Sequence, residues 1–306
     1  TMSETERTSP MVDRSDFEDE YPFPSNQLDL DGIAYHYIDE GQGPVVLMVH
    51  GNPTWSFAWR KCIADLSRDH RVIAVDHVGC GLSDKPPHYH YRLDQHANNL
   101  VTLIDRLGLD HITLCGHDWG GAIGMTAAHR RPDLFARFIL ANTSAFRSTR
   151  IPLRIAACRI PLIGAVLVRG FNLFSRAAMT MAVARDGQLT DSVRAGYLAP
   201  YDSWANRVAV HRFIQDIPLR ATHPSYPTLL ETENGLAHFA HHPMLLAWGE
   251  QDWCFDVEFL EEFQRRFPDA RTLRFPDAGH LLFEDVPDKF LAGIRDFLAD
   301  FPVDDH

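Results

Sequence analysis

The chain has 306 residues, 45% of them hydrophobic, and its formal net charge is −12 at pH 7. This hydrophobic content is enough for a large buried core, and the acidic balance excludes the long basic surface that nucleic-acid binding needs. The sequence has no apolar run of about 18 residues and no hydrophobic leader, so we expect a cytoplasmic protein. Its five cysteines are scattered, which favours reduced thiols over disulfide bonds or a metal site.

Residues 1–25 are rich in Ser, Thr, Glu and Asp, and Pro22 and Pro24 lie near their end. Such a composition buries too little apolar surface to order itself. We therefore predict a disordered tail over residues 1–25.

Short runs that are apolar on both faces alternate with segments of helical spacing over most of the remaining chain. The runs lie at residues 45–49, 72–75, 112–115, 138–141 and 244–248, and the helical segments at 94–107, 122–129, 257–267 and 287–301. Such runs are typical of central strands in a parallel sheet that helices cover on both sides. We predict a doubly wound α/β sheet, with the functional site at the carboxyl ends of its strands.

The run that starts at residue 112 leads into the motif GHDWGG, residues 116–121, and then into a helical segment. Small residues around a central polar residue are typical of a sharp strand-to-helix turn that exposes a nucleophile above the sheet. The central residue here is Asp118, whose carboxylate can displace a leaving group from carbon and form an alkyl ester. An aspartate that caps the helix is the alternative, but the two glycines favour the nucleophile.

Residues 143–234 contain no buried strand run, and we predict that they form a helical cap. The cap would be inserted between two parts of the main domain, residues 26–142 and 235–306. One of its segments, residues 151–174, is unusually apolar and yet carries Arg154, Arg159 and Arg169. Helices packed on the main domain would explain this segment, and self-association or contact with a membrane surface are the alternatives.

Two residues late in the chain complete a candidate catalytic set. His280, in the motif DAGH after a strand-like run, is placed to act as a general base. Asp252 follows the run 244–248 and would hold the imidazole tautomer, in the chain order nucleophile, acid, histidine. Glu250 and Asp256 are the neighbouring candidates for the acid.

Hydrogen-bond donors are expected on either side of Asp118. The backbone N–H groups of Asn52 and Trp119 would stabilise an oxyanion during ester hydrolysis. The Asn52 amide and the Trp119 indole N–H are neutral donors that could hold a departing halide in a dry pocket. A turn residue at 52 and a core aromatic residue at 119 are the alternatives.

With these residues the chain resembles the α/β-hydrolase superfamily and, within it, the haloalkane dehalogenases, over about residues 28–300. The segments that carry the resemblance are HGNPTWSFAWR, DHVGCGLSDKP, GHDWGG and DAGHLLFEDVP. The resemblance implies Asp118 as nucleophile, His280 as base and Asp252 as acid, with no metal or organic cofactor. It also implies that Asn52 and Trp119 bind the halide.

One group of dehalogenases carries a glutamate after the strand that precedes the cap. The corresponding segment here, ILANTSAF at residues 139–146, has no carboxylate. The acid is therefore Asp252, and the combination of an Asp-His-Asp triad with the pair Asn52 and Trp119 resembles the third dehalogenase subfamily. That subfamily is close to the β-lactone decarboxylases of long-chain olefin synthesis.

The resemblance implies dehalogenation of a haloalkane to an alcohol and a halide through an alkyl ester of aspartate. Decarboxylation of a β-lactone to an olefin is the alternative. Epoxide hydrolases fit less well, because they need two cap tyrosines, for which Tyr197, Tyr201 and Tyr226 are candidates. A non-catalytic protein that binds a hydrophobic ligand is the remaining alternative. The expected partners are a small hydrophobic substrate and a halide ion.

Overall fold

The structure is a computed structural model that describes residues 12–185 and 187–303. Within these residues an eight-stranded sheet has the order β1-β2-β4-β3-β5-β6-β7-β8. Strands β3 to β8 run parallel, whereas β2 is antiparallel to both β1 and β4. The strands are β1 (Asn26–Leu30), β2 (Ile33–Glu40), β3 (Val45–Val49), β4 (Arg71–Val75), β5 (Ile112–Asp118), β6 (Phe135–Thr143), β7 (Met244–Gly249) and β8 (Arg271–Phe275).

The five predicted apolar runs lie in the central strands β3 to β7, as expected for strands buried on both faces. Successive residues of β3 enter different cores. Val46 and Met48 pack on one side of the sheet, and Leu47 and Val49 pack on the other. The sheet is therefore covered on both faces.

Helices cover both faces of the sheet and follow the strands in sequence. Residues of α1 and α12 contribute to one core, and residues of α2, α3 and α10 contribute to the other. The helices beside the sheet are α1 (Arg60–Leu66), α2 (Leu93–Leu107), α3 (Trp119–Arg130), α10 (Val257–Arg266), α11 (Leu282–Asp285) and α12 (Pro287–Asp300).

A second group of helices lies between β6 and β7. It comprises α4 (Leu153–Cys158), α5 (Ile163–Ala165), a π-helical turn (Val166–Gly170), α6 (Leu173–Met181), α7 (Asp191–Leu198), α8 (Val208–Gln215) and α9 (Tyr226–Gly235). Helix α9 packs against α2 and α3, so it belongs with the helices beside the sheet. We use the name cap for residues 144–225, which end before α9. No helix within the described ranges is both long and apolar enough to cross a bilayer.

The predicted disorder of residues 1–25 is wrong for residues 12–25, and residues 1–11 lie outside the described residues. Phe17 and Tyr21 are buried, and the Phe17 ring contacts the rings of Trp55 and Phe57 edge-on. The Tyr21 hydroxyl is hydrogen-bonded to Ser56 Oγ at 2.6 Å. A few aromatic residues hold this acidic segment in place, because each of them buries a large apolar area. The prediction of disorder was based on the average composition of the segment, which does not show such single contacts.

Candidate active site

The turn between β5 and α3 carries Asp118 in a strained backbone conformation, with φ 53° and ψ −126°. The glycines around it allow the helix to approach the neighbouring strands. A Cβ at Gly120 would overlap the Val49 carbonyl, and a Cβ at Gly121 would overlap the Thr143 side chain. This geometry is that of an elbow which presents a side chain at the carboxyl edge of the sheet.

The imidazole of His280 lies between two carboxylates. Its Nδ1 is 2.7 Å from Asp252 Oδ2, and its Nε2 is 3.5 Å from Asp118 Oδ2. Behind it, His117 Nε2 is 2.8 Å from the His280 carbonyl oxygen. Burial holds the pKa of His117 well below its ordinary value, so the neutral ring donates this bond and fixes the His280 backbone.

The two other candidates for the acid lie elsewhere. Glu250 forms a salt bridge with Arg274. Asp256 caps α10 by accepting a hydrogen bond from Glu258 N at 3.1 Å, and it pairs with Arg150 at 2.6 Å. Of the carboxylates of Glu250, Asp252 and Asp256, that of Asp252 is hydrogen-bonded to the His280 ring.

Asn142 is a residue of the site that the sequence analysis did not identify. Its Nδ2 donates to Asp252 Oδ2 and to the Gly249 carbonyl, both at 3.0 Å, and its Oδ1 accepts from Gly249 N at 2.8 Å. It therefore ties the end of β6 to the end of β7 and orients the carboxylate of Asp252. The segment ILANTSAF has no carboxylate, and its one amide side chain was the signal that could have pointed to Asn142.

The backbone donors predicted at residues 52 and 119 both reach the carboxylate of Asp118. Asn52 N donates to Asp118 Oδ1 at 2.7 Å, and the Trp119 backbone N–H also bonds this carboxylate. Gly51 permits this approach, since a Cβ there would overlap the Asp118 side chain. If Asp118 were esterified, the same N–H groups would lie beside its carbonyl oxygen.

The two side-chain donors predicted beside Asp118 differ in their partners. Asn52 Nδ2 donates to the Val210 carbonyl of α8 at 3.1 Å, which leaves one N–H of that amide group. The indole N–H of Trp119 has no hydrogen-bond partner among residues 12–185 and 187–303, and its ring packs on Phe213. Both residues line the cavity above Asp118, so a polar ligand there would meet neutral donors.

Three histidines support the turn that contains Asn52. His50 Nε2 accepts a bond from His77 N at 3.0 Å, and His50 Nδ1 is 2.7 Å from the Gly51 carbonyl oxygen. The ring of His77 lies between those of His50 and His96, with centroids 4.3 and 5.4 Å away. Burial lowers the pKa of all three, that of His96 to about 3. We call these residues the histidine cluster.

The surroundings of Asp118 and His280 raise the pKa of both residues. Burial raises the pKa of Asp118, although His280 and the two backbone N–H groups oppose this shift. Burial alone would lower the pKa of His280, but the charge and hydrogen bond of Asp252 and the charge of Asp118 outweigh it, so that this pKa is raised. Asp118 is thus a more basic and more nucleophilic carboxylate than an exposed aspartate.

A cavity of about 410 Å³ lies between these residues and the cap. Its floor is formed by Asp118 and His280, and most of its wall is apolar. The lining side chains include Ile155, Phe174, Ala178, Met181, Ile214, Leu229, Trp253 and Phe259. Such a cavity fits a hydrophobic molecule whose reactive carbon faces the carboxylate.

The three tyrosines considered for epoxide opening have other roles. The hydroxyl of Tyr197 donates to Glu284 Oε1 at 2.7 Å, and that of Tyr201 donates to the Thr54 carbonyl at 3.1 Å. The hydroxyl of Tyr226 accepts from Arg147. None of them lines the cavity, which argues against an epoxide hydrolase.

No group of three or more His, Cys, Asp or Glu residues in the described ranges is arranged to hold a metal ion. Asp118, His280 and Asp252 are joined to one another by hydrogen bonds or short contacts. The arrangement can perform nucleophilic attack, followed by release of the resulting ester.

Comparison with known proteins identifies the family. The chain matches the alpha/beta hydrolase fold family over residues 44–159 and 172–287, which confirms the predicted fold. It is similar to the haloalkane dehalogenase DbeA from Bradyrhizobium elkani in structure, with a TM-score of 0.83 and 25% identity over 91% of this chain and 98% of that one.

Relatives with higher sequence identity than this structure are named for two different activities. A cis-3-alkyl-4-alkyloxetan-2-one decarboxylase from Shewanella oneidensis is 42% identical over 91% of this chain and 89% of its own. A decarboxylase of the same name from Xanthomonas campestris is 40% identical, over 92% of this chain and 98% of its own. Haloalkane dehalogenase 2 of Mycobacterium tuberculosis is 33% identical, over 90% and 94%. The chain therefore belongs to the α/β-hydrolase family, and within it to the group that contains these decarboxylases and the haloalkane dehalogenases.

Proposed function

We propose that this enzyme decarboxylates cis-3-alkyl-4-alkyloxetan-2-ones, which are β-lactones with two alkyl chains, to an olefin and carbon dioxide. The observation that carries the proposal is a buried carboxylate, Asp118, facing an apolar cavity that can receive alkyl chains. The relatives that are 42% and 40% identical carry the name of this activity, against 33% for the dehalogenase. The sequence favoured dehalogenation with decarboxylation as the alternative, and we propose the opposite order.

The first step would open the lactone ring. Asp118 Oδ2 attacks ring carbon 4, the alkyl-bearing carbon bonded to the ring oxygen, and the bond between that carbon and the ring oxygen breaks. The product is an alkyl ester of Asp118 whose substrate part carries a free carboxylate. Attack at the lactone carbonyl would instead give an anhydride, from which water would produce a hydroxy acid rather than an olefin.

The second step would release both products. The bond between carbon 3 and the substrate carboxylate breaks, and its electron pair forms the double bond between carbons 3 and 4. The bond from carbon 4 to the Asp118 oxygen breaks at the same time, which restores the aspartate carboxylate. Protonated His280, with Nε2 at 3.5 Å from Asp118 Oδ2, would stabilise this leaving carboxylate. The cycle consumes neither water nor a proton.

Dehalogenation is the second candidate, because the Trp119 indole N–H beside Asp118 is free to hold a halide. Asp118 would displace the halide from carbon, and neutral His280 would then activate a water that attacks the ester carbonyl. The backbone N–H groups of Asn52 and Trp119 would hold the resulting oxyanion. An alcohol and a halide would leave.

Turnover in heavy-oxygen water separates the two reactions. With a short-chain cis-β-lactone we expect olefin and unlabelled Asp118, because no water enters the cycle. With 1-iodobutane, any turnover should place the label in Asp118 during early cycles and then in the alcohol. Mass spectrometry of the peptide that contains Asp118 measures the label.

The proposal fails if the lactone yields a labelled β-hydroxy acid instead of olefin. It also fails if halide release is faster than olefin release by orders of magnitude. An Asp118→Asn variant is the matched control. It keeps the volume of the side chain and should lose both activities.

We also propose that the protein works in the cytoplasm. All five cysteines are unpaired thiols, and four of them are buried. Burial raises the pKa of Cys62 and that of Cys80 to about 12. Such thiols are inert and typical of a protein that folds under reducing conditions.

A further inference from the structure

The outer surface of the cap carries most of the exposed large apolar side chains in the described part of the chain. Nine such side chains are exposed, and seven lie within a single stretch of 21 residues: Leu153, Ile160, Leu162, Ile163, Val166, Phe171 and Leu173. Exposure reaches 87% for Leu153, 83% for Leu162 and 68% for Phe171. A concentration of this kind marks an interaction surface rather than a face that meets only water.

These side chains lie on elements that touch one another. Helix α4 contacts α5, α5 contacts the π-helical turn, and that turn contacts α6. An eighth exposed residue, Trp204, joins them, because the guanidinium of Arg169 lies 4.6 Å from its ring centroid. We call these eight side chains the apolar cap patch.

The charge of the cap is opposite to that of the rest of the molecule. Residues 144–225 contain eleven arginines, four aspartates and neither Lys nor Glu, so their net charge is +7, whereas the remaining residues sum to −19. Of the arginines in this range, Arg147 and Arg150 are those that form salt bridges with carboxylates within the described residues. Arg154, Arg169 and Arg176, which lie within or beside the patch, keep an uncompensated charge.

The cavity above Asp118 reaches this surface. Its lining runs from Asp118 to the exposed residues Arg150, Arg154 and Leu173. Leu173 belongs to the apolar cap patch, and Arg154 follows Leu153. The cavity therefore opens at the edge of the patch.

We propose that the apolar cap patch docks on an anionic lipid membrane. The exposed apolar side chains would enter the boundary between headgroups and acyl chains, and the unpaired arginines would contact lipid phosphates. A two-fold contact between two copies of this chain is disfavoured, because it would bring arginines of like charge together. A substrate with two alkyl chains could then pass from the lipid into the cavity, and this last step rests on the proposed function.

Sedimentation with vesicles tests the docking. We expect the 306-residue chain to bind vesicles of phosphatidylethanolamine and phosphatidylglycerol, to bind pure phosphatidylcholine weakly, and to dissociate from anionic vesicles as the salt concentration rises. The double variant Leu162→Glu/Phe171→Glu should bind at least tenfold more weakly, because it removes two exposed apolar side chains and adds two negative charges at the patch. The control Ala292→Glu/Ala299→Glu adds the same charge at exposed positions of α12 and should bind like the parent.

An activity measurement keeps docking and chemistry separate. Leu162 and Phe171 lie outside the cavity lining, so the double variant should turn over a short-chain lactone dissolved in water at the parent rate. Its rate on a long-chain lactone carried in anionic vesicles should fall about tenfold or more, in line with its weaker binding.

The docking proposal is overturned if the parent does not bind anionic vesicles, or if the variant binds them as well as the parent does. It is also overturned if the parent forms lipid-independent dimers that the variant abolishes. Failure of the short-chain reaction in the parent would refute the proposed function and leave vesicle binding as a separate result.

Discussion

In the proposed mechanism, the charge on the imidazole of His280 would determine the fate of an ester on Asp118. Protonated His280 would help Asp118 to leave as a carboxylate, whereas neutral His280 would take a proton from water and hydrolyse the ester. Burial alone would lower the pKa of His280, but Asp252 and Asp118 raise it above the ordinary value. In the free enzyme the protonated form therefore persists to a higher pH than in an exposed histidine. In the ester the charge of Asp118 is absent, and the bond to Asp252 still favours the protonated ring.

This assignment predicts opposite pH profiles for the two reactions. Olefin release should be greatest below the raised pKa of His280 and should fall as the pH rises through it. Halide-dependent alcohol release should rise over the same range, because it needs the neutral ring. Assays of both products between about pH 6.5 and 9 measure the profiles. Parallel profiles would show that His280 has the same role in both reactions.

Residues of the site that follow strands could be predicted from the sequence, whereas those that orient them could not. Asp118, Asp252 and His280 each lie in a motif at the end of a strand, and the sheet brings the three together. Asn142 has no chemical signature of its own. Its role depends on the separation of β6 and β7, which only the folded sheet defines.

Among the elements, α1, α7 and α11 meet at a buried ion pair. Arg60 donates to both carboxylate oxygens of Glu284, at 3.0 Å for Oε2, and the Tyr197 hydroxyl donates to Oε1. Burial would raise the pKa of Glu284, but Arg60 outweighs it and lowers that pKa. The hydrogen bond from Tyr197 to this pair links the cap to the helices beside the sheet.

Replacement of this carboxylate should therefore be costly. We expect Glu284→Gln to lower the free energy of unfolding by about 3 kcal/mol, because the buried Arg60 guanidinium then keeps as counter-charge only Glu20, whose carboxylate is 34% exposed and 3.4 Å away. Lys61, which is 40% exposed and 3.2 Å from Glu284, is the control. Lys61→Gln should cost no more than about 1 kcal/mol. Urea unfolding of both variants measures the difference, and equal losses would contradict the assigned role of the Arg60 pair.

Which elements could be predicted depends on how each strand is buried. Strands β3 to β7 are apolar on both faces, and this pattern is unambiguous in the sequence. Strand β1 alternates between half-buried and exposed residues at the edge of the sheet, so its sequence NQLDL has no comparable signal. Strand β1 was missed for this reason. Strand β2 was missed because the buried polar residue His36 interrupts its apolar pattern.

At the scale of the whole molecule, the histidine cluster makes the free energy of unfolding depend on pH. In the folded protein His50, His77 and His96 have lowered pKa values, whereas in the unfolded chain they would titrate near 6.5. Below about pH 6.5 the unfolded chain binds more protons, so the free energy of unfolding should fall by up to about 1.4 kcal/mol per pH unit for each histidine. This loss continues until the folded rings are themselves protonated.

Denaturant unfolding between about pH 7 and 5 measures this slope. His96→Phe should lower the slope by up to about 1.4 kcal/mol per pH unit, which corresponds to one proton. A phenyl ring should fit this position, because both ring nitrogens of His96 lack partners among the described residues and its ring stacks on Phe213. An unchanged slope in this variant would show that His96 is not one of the groups responsible.

The position of His50 adds a local consequence. Its unprotonated Nε2 accepts the bond from His77 N, and its Nδ1 bonds the carbonyl of Gly51, the residue before Asn52. A proton on Nε2 would break the first of these bonds and free the loop that donates to Asp118. Acid inactivation should accordingly follow the lowered pKa of His50, at a pH below about 6.5, and it should reverse on neutralisation as long as the sheet has stayed folded.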